Sequence, residues 1–405
     1  MGENSQETFS IGKKILLINH FVEYGGAEQF NMNLYHLLKE KGYTVKGLFF
    51  DKGKAKKIEE DFHIIEGGSA VREMLLNPII YRKAKRYIDS FNPDLIIVNN
   101  IKSSLFLLYR AVKGYKTIQV VHDYSIICPA VCCVRMYDDK SICRGYRCGK
   151  CLQGCKVNDS RLRLWVLRLL QRPIEGLRKK YIEKFIAPNA HLAGFIKHYG
   201  YDATVIHNML DGIPEKLPEK EFHEDKKSYM YAGNISNLKG INLFAEQFLE
   251  FSKDINVVLD IYGPISEKKA GDQLYKIIKK SNGKIRYHHF LENRKLRKYM
   301  EKADYFVMPS VGMDSYPSVT LEAMASGTVV IGSARGGIPE IIKGVGFLYK
   351  CLDKNMIMNT LRRSYEISKE DYENMRMKGY LQVKEENTFE KYYKELIDTL
   401  DAQPK

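Results

Sequence analysis

Two carboxylates, Asp314 and Glu322, stand eight residues apart in the stretch DYFVMPSVGMDSYPSVTLEAMASGTVVIGSARGGIPEII, residues 304–342. The apolar run 305–308 reads as a buried strand, stopped by Pro309 and Ser310. Asp314 then falls on a loop beyond the strand's carboxyl end. Pro317 and Ser318 open a short helix that carries Glu322 about one turn in and ends at Gly327. The start of a helix leaves N–H groups without intrahelical partners and holds the positive end of the helix dipole, so the amides near Ser318 and Val319 suit a phosphate. A carboxylate close to that end suits ribose hydroxyls, and the loop carboxylate suits a hydroxyl of a sugar. These residue types in this spacing describe a nucleotide-sugar site. Gly25 and Gly26, in HFVEYGGAE at 20–28, add a turn where backbone can approach a pyrophosphate. The G-x-G-x-x-G spacing of a dinucleotide site and a Walker lysine are both missing there.

Such residues need a scaffold that brings distant loops to one edge. Strand signals at 13–19, 44–50, 94–98, 117–121, 184–187 and 204–206 alternate with helical patterns at 27–41, 71–90 and 103–113. Alternation of this kind predicts a parallel sheet covered on both faces. Residues 211–227, DGIPEKLPEKEFHEDKK, carry no period and read as a linker. Alternation restarts with strands at 228–232, 256–262, 284–288, 304–308 and 328–331. The expected organisation is a first Rossmann-like domain over 1–210 with a cysteine-rich insertion at 124–160, the linker, a second Rossmann-like domain over 228–387, and an amphipathic last helix within 388–405. Ligands of open α/β sheets bind beyond the carboxyl ends of the strands, so the cleft between two such domains is the expected site.

The chain has 405 residues and a net charge of +15, which favours phosphate-bearing partners. No apolar run approaches the roughly 18 residues of a membrane span, and the first residues lack the apolar core of a secretory signal. The expected location is the cytosolic side. No nucleic-acid motif accompanies the charge, so nucleic acid is not an expected partner. Seven of the eight cysteines lie between Cys128 and Cys155. Cys143, Cys148, Cys151 and Cys155 have spacing that a structural zinc would accept, and a loop of free thiols reads equally from the same residues. The segment 160–185 mixes Trp165 and several leucines with Arg161, Arg163, Arg168, Arg172 and Arg178. It reads either as a helix lying on an anionic bilayer, which would make the protein peripheral to the inner membrane face, or as a core helix with a basic outer side.

The stretch from Asp314 to Ile331, D-S-Y-P-S-V-T-L-E-A-M-A-S-G-T-V-V-I, resembles the E-x-F-G-x-x-x-x-E-A-M-A-x-G-x-P-V-I pattern of glycosyltransferase family 4, the retaining GT-B enzymes. Gly336 to Glu340 agrees with its later Gly-Gly-x-Pro-Glu, and Gly25-Gly26-Ala27-Glu28 looks like its Gly-Gly-Ala-Glu loop. The first carboxylate is shortened to Asp314, and Pro317 replaces a glycine. The family's G-R-x-x-x-x-K-G is matched at Gly233, Lys239 and Gly240, with Asn234 in place of arginine. The resemblance implies a GT-B fold of two doubly wound domains, with the last helix crossing back to the first. It implies transfer from a UDP- or GDP-sugar to a glycan or lipid-linked acceptor in surface polysaccharide assembly, with no metal or cofactor needed for the chemistry. Asp314 would hold the donor sugar, and Lys239, Asn234, Gly25, Gly26, Ser318 and Val319 would surround the diphosphate. Glu322 would take the ribose, and His122, at the end of a first-domain strand, the reacting face. The alternatives are a GT-B epimerase or hydrolase, and a non-catalytic sugar-nucleotide-binding partner, which the lost arginine and shortened carboxylate keep open.

Overall fold

The computed structural model describes residues 13–402 apart from 24, 54, 57, 67–76, 102–104, 129–142 and 144–160; at 161–164, 166 and 167 it describes the backbone alone. The first half builds on β1 (Lys14–Ile18), β2 (Phe21–Glu23), β3 (Thr44–Phe49), β4 (Asp51–Gly53), β5 (Phe62–Ile64), β6 (Leu95–Val98), β7 (Thr117–Val120), β8 (Lys184–Ala187) and β9 (Ala203–Val205). The second half builds on β10 (Lys226–Ala232), β11 (Asn256–Tyr262), β12 (Ile285–Tyr287), β13 (Tyr305–Met308), β14 (Val329–Ser333) and β15 (Gly346–Tyr349). One sheet has the order β5-β3-β1-β6-β7-β8-β9 and the other β12-β11-β10-β13-β14-β15. Every pairing in both is parallel.

Burial on both faces explains why these segments are strands. In β1, Leu16 and Ile18 join one buried cluster while Ile15 and Leu17 join another on the opposite face. In β10, Tyr229 and Tyr231 point to one side and Met230 and Ala232 to the other. Side chains alternate along a strand, so a run apolar at every position must be covered twice. Each sheet also reverses its winding once. The chain leaves β1 toward β3 and returns on its other side at β6; it leaves β10 toward β11 and returns at β13. The loops after β1, β6, β10 and β13 therefore open at the two reversal points, where open α/β sheets bind ligands, and the loop after β7 lies one strand further along.

Sequence reading marks the three-residue edge strands β9 and β12 but not β5, β15 or the small β2–β4 ribbon, since three or four residues are too few for a period to distinguish a strand. Among the described residues the helical pattern at 103–113 yields only Leu108–Ala111, and the pattern at 71–90 yields Asn77–Phe91. Residues 211–225 are irregular but fixed. Pro214, Glu215 and Pro218 accept hydrogen bonds from Tyr380, Lys384 and Arg376 of the helix Lys369–Glu386 at 2.8, 2.6 and 2.7 Å. The final helix, Phe389–Asp401, brings Tyr392, Leu396 and Leu400 into one buried cluster with Ile15 and Leu17 of β1 and with Phe30 of the helix Gly26–Glu40, whose ring lies edge-on to Tyr392. Lys41 meets Glu390 at 2.7 Å, and Lys116 donates to the Leu400 carbonyl at 3.0 Å.

Candidate active site

Asp314 and Lys239 lie 75 residues apart in the chain and 2.6 Å apart in space. Backbone contacts between the loops after β10 and β13 produce this meeting. The amides of Val311 and Gly312 donate to the Leu238 carbonyl at 2.9 and 2.8 Å. Gly240 sits at φ +70, and a Cβ there would come within 2.1 Å of the Pro309 carbonyl oxygen. Only glycine accepts both the left-handed backbone and that approach. On the other side, the Gly337 amide donates to the Asp314 carbonyl at 2.8 Å. A Cβ on Gly336 would fall 2.0 Å from the same oxygen. The Asp314 carboxylate then takes Lys239 on Oδ1 and the Ser310 hydroxyl on Oδ2. Both partners of the ion pair keep about a quarter of their side chains open to the cleft, 22% for Asp314 and 30% for Lys239. Asn234 is exposed on the same loop, its carbonyl accepting from the Tyr231 hydroxyl at 2.9 Å.

The helix Ser318–Ala325 starts after Pro317, so the Ser318 and Val319 amides occupy its first two positions, where no intrahelical acceptor exists. The helix Gly26–Glu40 of the first domain begins directly opposite: a Cβ on Gly26 would lie 4.0 Å from the Ser318 hydroxyl oxygen. Two helix N-termini from different domains thus converge on one gap, lined by Gly25, Gly26, Ser318 and Val319. Glu322 is buried on the same short helix, 7% exposed, with no hydrogen-bond partner for its carboxylate among the described residues. Burial raises its pKa, opposed by the charge of Arg297.

His122 follows β7 and reaches the second domain through its backbone: its carbonyl accepts from the Ser315 hydroxyl, next to Asp314. The Ser315 carbonyl in turn accepts from Asn189 at 2.5 Å. The His122 imidazole lies edge-on to Phe30 at 4.9 Å, and its Nε2 is 3.3 Å from Asn99 Oδ1. Burial pushes its pKa down to about 4, so the ring is neutral at ordinary pH. The structure therefore pairs Lys239 with Asp314, sets Gly26 against Ser318 and ties the His122 backbone to Ser315 beside Asp314, while Val319 and Glu322 lie on the Ser318 helix, Gly25 precedes Gly26, and Asn234 lies on the loop of Lys239. Sequence reading does not find Ser310, Ser315, Asn189 or Asn99. Polar residues of these types are common in loops, and only the fold reveals what they hold.

A second seam closes the domains nearby. Glu340 accepts from the Ala190 amide, at the start of the helix Ala190–His198, at 2.9 Å and from His207 at 3.3 Å. Burial alone would raise the Glu340 pKa, but the hydrogen bonds from His207 and the Ala190 amide hold it below the usual carboxylate value. Of the cysteine cluster, Cys128 and Cys143 are described and buried, whereas Cys132, Cys133, Cys148, Cys151 and Cys155 lie outside the described residues. No group of metal-ligand type is found among the described residues. The basic segment forms the helix Arg161–Tyr181. Arg178 is not part of a solvent-facing basic side: it is 2% exposed and donates to the Tyr109 hydroxyl at 3.0 Å and the Ile126 carbonyl at 2.9 Å. Trp165 and Leu169, one turn apart, are by contrast 49% and 55% exposed. No helix among the described residues is long and apolar enough to cross a membrane.

The comparisons with known proteins agree with this architecture. A model described as glycosyltransferase family 4 matches residues 24–211, and one described as glycosyl transferases group 1 matches residues 213–382. Alpha-maltose-1-phosphate synthase of Mycolicibacterium smegmatis is 29% identical over 171 residues, 41% of this chain and 44% of that protein, so the match spans less than half of the relative. Sucrose-phosphate synthase of Thermosynechococcus elongatus superposes with a TM-score of 0.72 at 16% identity, covering 96% of this chain and 98% of that one. HepE of Anabaena, solved with UDP, gives 0.70 at 16% identity, covering 96% and 100%. With each half matched by a glycosyltransferase model and the two-sheet GT-B fold shared along almost its whole length, the chain is a family 4-like glycosyltransferase.

Proposed function

We propose that the protein transfers a sugar from a UDP- or GDP-sugar to a glycan or lipid-linked acceptor, with retention at the anomeric carbon, in the assembly of a surface polysaccharide. The observation that carries this reading is the Asp314–Lys239 pair at 2.6 Å, held at the gap between two facing helix N-termini. The bond from the anomeric carbon to the diphosphate oxygen breaks as the acceptor oxygen bonds the same face, and the acceptor's proton leaves with the diphosphate. Charge grows on the departing diphosphate, where Lys239 and the Ser318 and Val319 amides supply fixed positive ends. Asp314 takes sugar hydroxyls, Glu322 the ribose and His122 the reacting face, while Gly25, Gly26 and Asn234 line the phosphate path. HepE, which shares the fold, has been solved with UDP and with UDP-glucose. No metal is required in this scheme.

The test is turnover with product anomer analysis. Asp314→Asn should lower kcat by about 10²-fold or more while thermal stability stays near wild type, and wild-type product should keep the donor's anomeric configuration. Near-normal turnover in the variant removes Asp314 from the reacting centre. The exposed Asn234, where the resemblance expects a cation, gives the alternative its one support. Nucleoside diphosphate release without acceptor would mark a hydrolase, and binding without release a non-catalytic partner. The exposed pair Trp165 and Leu169 favours an anionic bilayer as the place where a lipid-linked acceptor is met. Salt-sensitive co-sedimentation with anionic vesicles, lost in Trp165→Ser, is the expected result; sedimentation unchanged in that variant would contradict it.

A further inference from the structure

We propose that Glu28, Asn31 and Asn99 form a polarised line that fixes the tautomer of His122, with the proton on Nε2 and the lone pair on Nδ1. The proposal deepens the reading of His122 as a residue at the reacting face and rests on it. None of the three belongs to the donor-contacting set, so their role is positioning.

The direction of the line follows from donor and acceptor counting. Asn99 is 1% exposed and Asn31 is fully buried. The Asn99 Nδ2 donates to Asn31 Oδ1, and Asn99 Oδ1 is the atom 3.3 Å from His122 Nε2. A carboxamide has one acceptor end and one donor end. Once Asn99 gives its N–H to Asn31, only oxygen remains for His122, and the imidazole must donate from Nε2. Reversing both amides would keep each pair in contact but place the proton on the other ring nitrogen.

Glu28 breaks that symmetry. It lies three residues before Asn31 in the helix Gly26–Glu40, hence on the same face. It is 3% exposed, and its Oε2 accepts from the Gly25 amide at 2.9 Å. Its Oε1 is buried without a partner, and so is the Nδ2 of Asn31. A carboxylate only accepts, so it favours the donor end of Asn31 toward its face and disfavours the carbonyl end. In a dry interior that preference is transmitted along hydrogen-bonded amides. Glu28 thus has two linked effects: it holds the Gly25 turn through one oxygen, and the charge on the other, which takes no hydrogen bond, favours the donor end of Asn31 on its face. The far end of the line is tied to the second domain, because the His122 carbonyl accepts from Ser315 beside Asp314. The outcome is a neutral ring of one tautomer that presents an acceptor to a sugar hydroxyl.

Nitrogen NMR of protein labelled with ¹⁵N-histidine, without any donor, reads the tautomer directly; the His122 signals are those missing in His122→Gln. Wild type should show protonated Nε2 and bare Nδ1. Asn99→Leu should give mixed tautomers and lower kcat about tenfold, the scale of one net hydrogen bond, with donor KM little changed. Asn99→Asp should keep the Nε2 proton but raise the pH at which the ring titrates. Glu28→Gln, which can still cap Gly25, should mix the tautomers. A wild-type proton on Nδ1, or an Asn99→Leu protein with wild-type spectrum and kcat, would overturn the proposal. The tautomer is read without substrate, so failure to transfer sugar would count against the proposed function and leave this readout standing.

Discussion

Asp314 and Glu322 carry the same functional group in opposite surroundings. Asp314 is paired with Lys239 and Ser310, so its charge is compensated before any ligand arrives. Glu322 is buried with no hydrogen-bond partner for its carboxylate among the described residues, and its pKa is raised by that burial, with the charge of Arg297 offsetting only part of the effect. A carboxyl whose folded pKa exceeds its unfolded value binds protons more tightly in the native state, so its contribution falls as pH rises above the usual glutamate value. Glu322→Gln should therefore make the ligand-free protein more stable at neutral pH, with the gain shrinking toward acid, while weakening donor binding about tenfold or more through the lost charged hydrogen bond. Thermal melts across pH with and without nucleotide check this; a variant less stable at neutral pH would show that Glu322 is compensated. At this scale the sequence was informative about types and spacing. Asp314, Glu322 and Lys239 stand out because they lie in long motif matches. Ser310 and Ser315 do not, because a serine becomes informative only when its hydroxyl has a known partner.

At the scale of elements, glycines place the charges. Gly240 and Gly336 both adopt left-handed backbone and both meet a carbonyl oxygen where a side chain would start. One brings Lys239 to the loop after β13, and the other closes the Gly336–Gly337 turn on Asp314. Gly240→Ala should cost several kcal/mol, combining roughly 1–2 kcal/mol for the left-handed conformation with a backbone clash, and should lose donor binding together with stability. A melt within a degree of wild type would show that the loop can move aside. Strand identity was legible because burial on both faces leaves continuous apolar runs, as in β1, β6 and β13. Loop-to-loop contact was not. Periodicity records which face of an element is buried and carries nothing about which loop, 75 residues away, will lie beside it.

At the scale of the molecule, two of the polar contacts that join the halves among the described residues centre on Ser315 and Glu340. Ser315 joins His122 and Asn189, and Glu340 joins Ala190 and His207. The restart of alternation after 211–227 made a second domain legible, but the seam depends on single side chains at strand ends and was not. The Glu340 pKa is held below its usual 4.5, so its contribution is present above that value and is lost as pH falls through the lowered one. Glu340→Gln should cost about 1 kcal/mol at neutral pH, the low end for a charged hydrogen bond because the group is partly exposed. It should also flatten the acid limb of the stability profile. Hydrogen exchange should quicken at the Ala190 amide and stay unchanged in β10. Unaltered exchange at Ala190 would mean the seam is held without Glu340.

The cleft built around Lys239 and Asp314 should bind a nucleoside-diphosphate sugar. Equilibrium titration of wild type and Lys239→Ala with UDP, GDP and their sugars tests it most directly. Saturable one-to-one binding of at least one of these donors is expected, weakened by about 1.5–3 kcal/mol in Lys239→Ala, the range for hydrogen bonds to charged groups. Binding of equal strength in the variant, or no binding of any of these ligands to wild type, would contradict it.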